Sequence, residues 1–161
     1  MSFYSNRPED LLFDAARKGD TANVKKLIGE KVDVNATDAK GFTPLIIAAY
    51  DGHLDTAKAL LDAKADVNVR DASGNTALMG VSFKGYPEIA RMLIEYGADP
   101  DVQNGNGGTA LMFATLFGRN QLVKLLLEYG ASSTIRDARG FTALDLAMQQ
   151  GNEEVIPLLK H

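Results

Sequence analysis

Between Gly41 and Asp71 the chain reads GFTPLIIAAYDGHLDTAKALLDAKADVNVRD. Its apolar positions trace a short helix, a glycine-centred reversal and a longer helix with rows of Leu and Ala. A loop ending in an extended A-D-x-N-like stretch follows. The same skeleton returns every 33 residues. Gly41 recurs as Gly74, Gly107 and Gly140, Thr43 as Thr76, Thr109 and Thr142, and Leu45 as Leu78, Leu111 and Leu144. Gly52 recurs as Gly85, Gly118 and Gly151, and one step backwards it lands on Gly19, with Ala15-Ala16 in the place of Ala48-Ala49. A constant period without insertions marks a stacked architecture, in which no unit can bury its apolar face alone.

The pattern also predicts where helices start. Thr43, Thr76, Thr109 and Thr142 are placed as N-caps, their hydroxyls accepting from otherwise unpaired first-turn amides. Pro44 and Pro87 fall at first helical positions, where a missing N–H does no harm. PEDLLFDAARKGD opens a helix at Pro8 with acids in its first turn. Leu11, Leu12, Ala15 and Ala16 are its expected buried stripe, leaving Glu9, Asp14, Arg17 and Lys18 to water. A partner helix over residues 22–30 turns Val24, Leu27 and Ile28 inward and Lys25 and Lys26 outward. The first unit is the most heavily charged, as a terminal unit with an unpartnered outer face requires. The organisation expected is a flexible lead-in over residues 1–7 and one domain over 8–161. Its units run 8–40, 41–73, 74–106, 107–139 and 140–161, the first and last as caps.

TPLIIAAYDGH and its echoes TALMGVSFKGY, TALMFATLFGR and TALDLAMQQGN, with ADVN and LLLEYGAS, resemble ankyrin repeats. The resemblance implies an all-α solenoid of stacked helix-turn-helix units with β-hairpin loops. The hairpin fingers would lie around residues 36–41, 69–74, 102–107 and 135–140. Three departures from the family pattern stand out. The histidine of T-P-L-H is replaced by Ile46, Met79, Met112 and Asp145, so its hydrogen bond between repeats is absent and packing is expected to supply the cohesion. The glycine after the second helix is Lys31 and Lys64 in the first two units, against Gly97 and Gly130 later. Positive φ is predicted at both lysines, costing about 1 kcal/mol each relative to Gly. Pro157 falls inside the expected last helix, predicting a kink or early fraying, at ~3 kcal/mol in an otherwise regular helix.

Composition narrows the function. The net charge of −4 is contributed by residues 41–106, which hold five basic and nine acidic side chains. An acidic centre repels phosphate backbones and anionic lipid, so neither nucleic acid nor membrane is an expected partner. No cysteine is present, which excludes disulfide and thiol chemistry. No run approaches the roughly 20 apolar residues of a membrane span. MSFYSNRPED lacks the pattern of a secretory leader, so the expected location is cytoplasmic, or periplasmic if a leader has been removed. His53 and His161 have no metal-ligand spacing, and Ser82, Ser132 and Ser133 lie in no nucleophile elbow. No catalytic residue, metal or cofactor is therefore assigned. Asn104 to Gly108, NGNGG, reads as a mobile fingertip with Asn-Gly turn chemistry, an anion cradle before the next helix being the second reading.

In ankyrin-like stacks, partners bind along the fingers and the exposed side of the first helices, which line a concave groove. Carried onto this chain, that surface comprises Lys40, Phe42, Tyr50 and Asp51 in the second unit and Arg70, Ser73, Asn75, Phe83 and Lys84 in the third. In the fourth it comprises Gln103, Asn106, Leu116 and Phe117, and in the fifth Arg136, Arg139, Phe141, Gln149 and Gln150. Aromatics with neighbouring arginines are typical interface anchors. The competing reading is half-buried packing between repeats, since Tyr50, Phe83 and Leu116 hold equivalent positions and can form a stacking row. Tyr96 and Tyr129 lie on the opposite side and are expected to be structural. The function implied is recognition of another protein by a monomeric, non-enzymatic module. The alternative is a dedicated inhibitor or immunity-type protein that occludes a partner enzyme, in line with the chain's similarity to small stand-alone bacterial ankyrin proteins. A self-associating structural stack is disfavoured by the charged first unit.

Overall fold

The computed structural model describes residues 7–160. The lead-in expected over residues 1–7 therefore lies outside the described residues except for Arg7, which is extended and immediately precedes the first helix. Helices come in successive pairs: α1 (Pro8–Lys18) with α2 (Thr21–Gly29), α3 (Pro44–Tyr50) with α4 (Leu54–Asp62), and α5 (Ala77–Lys84) with α6 (Pro87–Glu95). α7 (Ala110–Leu116) with α8 (Asn120–Glu128) and α9 (Ala143–Gln150) with α10 (Ile156–Leu159) complete the series. Each first helix packs on the first helix of the next pair, from α1 through α9, and second helices stack likewise from α2 through α8. The core lies between these two layers, with Leu12, Leu45, Leu78 and Leu111 all essentially inaccessible.

Helix starts follow the predicted chemistry. The hydroxyls of Thr43, Thr76, Thr109 and Thr142 accept from the amides of Ile46, Met79, Met112 and Asp145. Pro44 and Pro87 open their helices. Among the described residues there is no strand, and the fingers are tight turns. Each is closed by two backbone bonds: the amides of Asp38, Asp71, Asn104 and Asp137 donate to the carbonyls of Phe42, Asn75, Gly108 and Phe141, and the amides of Gly41, Gly74, Gly107 and Gly140 donate back to the carbonyls of Asp38, Asp71, Asn104 and Asp137. Neighbouring fingers are joined through the amides of Ala72, Gly105 and Ala138, which donate to Lys40, Ser73 and Asn106.

Lys31 and Lys64 have φ of 71° and 73°, the left-handed conformation predicted for them. Pro157 is accommodated differently from a kink. Residues 153–155 form turns and the helix starts only at Ile156, so the ring occupies a first-turn position where its missing N–H breaks no bond. Leu11 does not join the buried stripe: it is 44% exposed, and Phe13 is buried instead. The counterparts of Leu11 in later units, Pro44, Ala77, Ala110 and Ala143, are buried where a preceding helix pair stands beside them. No such pair precedes α1 among the described residues.

Cohesion between units is not left to packing. Asn35, Asn68 and Asp101 form a ladder: their Oδ1 atoms accept from the amides of Asp66, Asp99 and Ser132, each at 2.8 Å. A second series covers the carbonyls at the ends of first helices. His53 Nε2 lies 2.9 Å from the Arg17 carbonyl, Arg119 Nε donates to the Phe83 carbonyl at 3.0 Å, and Gln150 donates to the Leu116 carbonyl at 2.6 Å. Thr21 and Thr56 share a hydroxyl bond of 2.7 Å, and Asn120 pairs with Asn152. The missing T-P-L-H histidine is thus replaced by polar bonds at other repeat positions.

Candidate protein-binding face

At the C-terminal ends of the first helices a row of aromatics crosses from unit to unit. Tyr50 stacks on Phe83 with centroids 6.3 Å apart and planes 7° apart, and Phe83 meets Phe117 edge-on at 4.5 Å. The Lys84 ammonium lies 4.7 Å from the Tyr50 ring centroid. Tyr50 remains 40% exposed and Phe117 48%, so the row packs against itself yet presents apolar surface to water. Tyr50 and Phe83 stack as the packing reading expects, but Phe117, not Leu116, continues the row.

A groove of about 480 Å³ runs beside the row. Phe42, Tyr50, Asp51, Asn75 and Phe83 of the predicted set line it. A second hollow, two units further on, takes in Leu116 and Arg139. Phe141 is half-buried beneath the Arg139 guanidinium, 4.9 Å from its ring, and stands apart from the first groove. Arg70 is turned along the fingers, where Nη2 donates to the Gln103 carbonyl at 2.9 Å and Nε to the Gly74 carbonyl. Sequence reasoning missed Arg17, Ile46, Met79, Gly80 and Phe113, which also line the groove. For Arg17 the repeat register held the signal, since it stands 33 residues before Tyr50.

The finger aspartates are structural. Asp38 accepts from the amides of Lys40 and Phe42, Asp71 from Ser73 and Asn75, and Asp137 from Arg139 and Phe141. Burial works against ionisation of Asp137, but the Phe141 and Arg139 amides and the Arg139 guanidinium outweigh it and hold its pKa below the ordinary carboxylate value. Asn104 does the same work in the NGNGG loop, accepting from Asn106 and Gly108, while the Gly107 and Gly105 amides go to the Asn104 and Ser73 carbonyls. These amides are all spent within and between fingers, so the turn reading stands and the anion cradle does not. On the opposite side, the Tyr96 hydroxyl donates to Asp62 and that of Tyr129 to Glu95, bridging successive second helices.

Charge divides by layer. Asp55, Asp62, Glu88 and Glu95 lie on α4 and α6, and Asp66, Asp99 and Asp101 in the loops after them. On the fingers, Lys40, Arg70, Arg136 and Arg139 are exposed, whereas Asp38, Asp71 and Asp137 are half-buried against the turn amides. The acidic excess of residues 41–106 therefore belongs largely to the second-helix layer. No helix among the described residues is long and apolar enough to cross a membrane.

Stacked helix pairs joined through turn fingers define a helical repeat solenoid. A family model described as ankyrin repeats (3 copies) matches residues 12–104 and, in a second placement, 81–161, and the chain belongs to the ankyrin-repeat family. It is similar to "Ankyrin repeat domain-containing protein 29" of Homo sapiens, 44% identical over 57 residues, and to "Ankyrin repeat domain-containing protein 49" of Mus musculus, 47% identical over 49. Those alignments cover 34% and 30% of this chain and 19% and 21% of the two relatives, so the chain spans about a fifth of their length. Ankyrin repeats are generally protein–protein interaction modules and typically non-enzymatic.

Proposed function

We propose that this chain binds a partner protein, without turnover, through the face formed by the fingers and the first helices. The observation that supports this is the Tyr50–Phe83–Phe117 row. Two of its three rings stay 40% and 48% exposed beside a groove, where a soluble protein gains nothing by leaving them. Exposed rings held by stacking and by a cation are pre-organised, so little side-chain entropy is lost on binding. Fold alone does not name the partner.

The test uses immobilised full-length chain and an extract of the source organism, comparing wild type with a Tyr50→Ala/Phe117→Ala variant. Both substituted residues are exposed, and equal melting temperatures would establish that the stack is intact. A protein retained by the wild type and lost by the variant supports the reading. Equal recovery by both moves the interface elsewhere. If the retained protein is an enzyme, full inhibition at equimolar ratio separates an inhibitor from an adaptor.

A further inference from the structure

We infer that Asn106 is a site of spontaneous covalent modification, at which the side-chain amide is lost and the fingertip acquires a carboxylate. Two Asn-Gly pairs stand in the chain, Asn104-Gly105 and Asn106-Gly107, both in the third finger. The repeat fixes the glycine of the second pair. Gly41, Gly74, Gly107 and Gly140 all have positive φ, and a Cβ at Gly107 would stand 2.8 Å from the Ala138 nitrogen, so the turn requires glycine there. The residue before it is Lys40, Ser73 and Arg139 in the other fingers, and only this finger sets an asparagine against the obligatory glycine.

An asparagine loses its amide when the next backbone nitrogen attacks its side-chain carbonyl carbon, and glycine leaves that nitrogen uncrowded. At Asn106 the Gly107 nitrogen gives up its proton to solvent and bonds to Cγ. Nδ2 takes up a proton and leaves as ammonia, and a succinimide ring closes. Water then opens the ring at either carbonyl. One opening yields aspartate; the other yields isoaspartate, in which the main chain runs through the side-chain carbon. One water is consumed and one ammonia released, and no oxidant or reductant takes part.

The structure separates the two asparagines. Asn104 is half-buried and held on both side-chain atoms: Oδ1 accepts from the Asn106 and Gly108 amides, and Nδ2 donates to Asn75 Oδ1 at 2.8 Å. Its would-be nucleophile, the Gly105 amide, donates across to the Ser73 carbonyl. Bringing Cγ onto that nitrogen breaks all of these bonds together. Asn106 is exposed, and its side chain makes no hydrogen bond among the described residues, so Cγ turns freely. Two backbone bonds restrain the reaction there, from Gly107 to the Asn104 carbonyl and from Ala138 to the Asn106 carbonyl. Both lie at a loop tip, where local opening is easiest. The new carboxylate would stand where the neighbouring fingers hold Ser73 and Arg139, on the rim of the hollow that takes in Leu116 and Arg139.

The experiment is incubation of the full chain in mildly alkaline buffer, followed by peptide mapping that resolves asparagine, aspartate and isoaspartate, with isoaspartyl methyltransferase labelling as a second readout. Product should accumulate at position 106, at a rate rising roughly tenfold per pH unit because only the deprotonated nitrogen attacks. Position 104 should stay intact in the folded chain and react alongside 106 once urea has unfolded it. Asn106→Ser, the residue of the preceding finger, should abolish labelling of the folded chain. Asn104→Asp, the residue that Asp38, Asp71 and Asp137 supply in the other fingers, should leave it unchanged. Equal melting temperatures would establish that both variants keep the stack. Equal rates at 104 and 106 in the folded chain, or labelling that survives Asn106→Ser, would overturn the assignment. So would a folded chain that stays unmodified while the unfolded chain reacts, since the Gly107 bond would then hold the turn shut.

Discussion

Lys31 and Lys64 occupy the left-handed conformation that Gly97 and Gly130 supply in later units, with φ of 71° and 73° against 100° and 90°. A side chain there crowds its own backbone, so Lys31→Gly and Lys64→Gly should each stabilise the protein by up to about 1 kcal/mol. In thermal melts of a chain this size that is a rise of roughly 2–4 °C per substitution. Asp137 makes a different prediction. Its pKa is lowered in the folded state, so the native state favours the ionised form. That contribution is fully present above the ordinary carboxylate value and disappears as pH falls through the lowered one. Urea titrations between roughly pH 2 and 6 should therefore show Asp137→Asn less stable near neutrality but less sensitive to acid. Caps and left-handed sites were legible in the sequence because each depends on a few neighbouring residues. The Arg70 reach to the Gln103 carbonyl was not, since it links residues 33 apart through a side-chain rotamer.

At the scale of elements, helices could be read from period and caps, whereas what joins one pair to the next could not. The Asn35–Asn68–Asp101 ladder uses the last residue of ADVN and of its counterparts VDVN and ADPD, whose side chains look solvent-facing in any single repeat. Asn68 both accepts from the Asp99 amide and donates from Nδ2 to the Gly97 carbonyl. Asn68→Ala should cost about 1 kcal/mol, a partly hydrated share of two bonds, and urea midpoints would measure it. Failure to lose stability would mean that water replaces the ladder at no cost. Pro157 shows the same limit from another side. Its exclusion from a helix interior was clear, but the chain chose to delay the helix, because residues 153–155 could form turns instead.

Across the whole molecule, a charge count along the chain misled where a count by layer does not. Residues 41–106 are acidic as a window, yet that window mixes the finger carrying Arg70 with Asp55, Asp62, Glu88 and Glu95 of the second helices. Only the alternation of layers separates them. The same one-dimensional order governs unfolding, because a unit is held by the neighbours on its two sides. Ala49, Ser82 and Thr115 are fully buried at one repeat position, whereas Met148, their counterpart in the last unit, is 56% exposed. Thr115→Gln should therefore overpack an inner junction and destabilise by about 1–3 kcal/mol, while Met148→Gln should be nearly neutral. Native-state hydrogen exchange should agree, with amides of α9 and α10 opening at lower free energy than those of α5 and α7. Uniform protection from α3 to α10 would instead require every junction to break together, which a stack sealed on one side of its last unit does not favour.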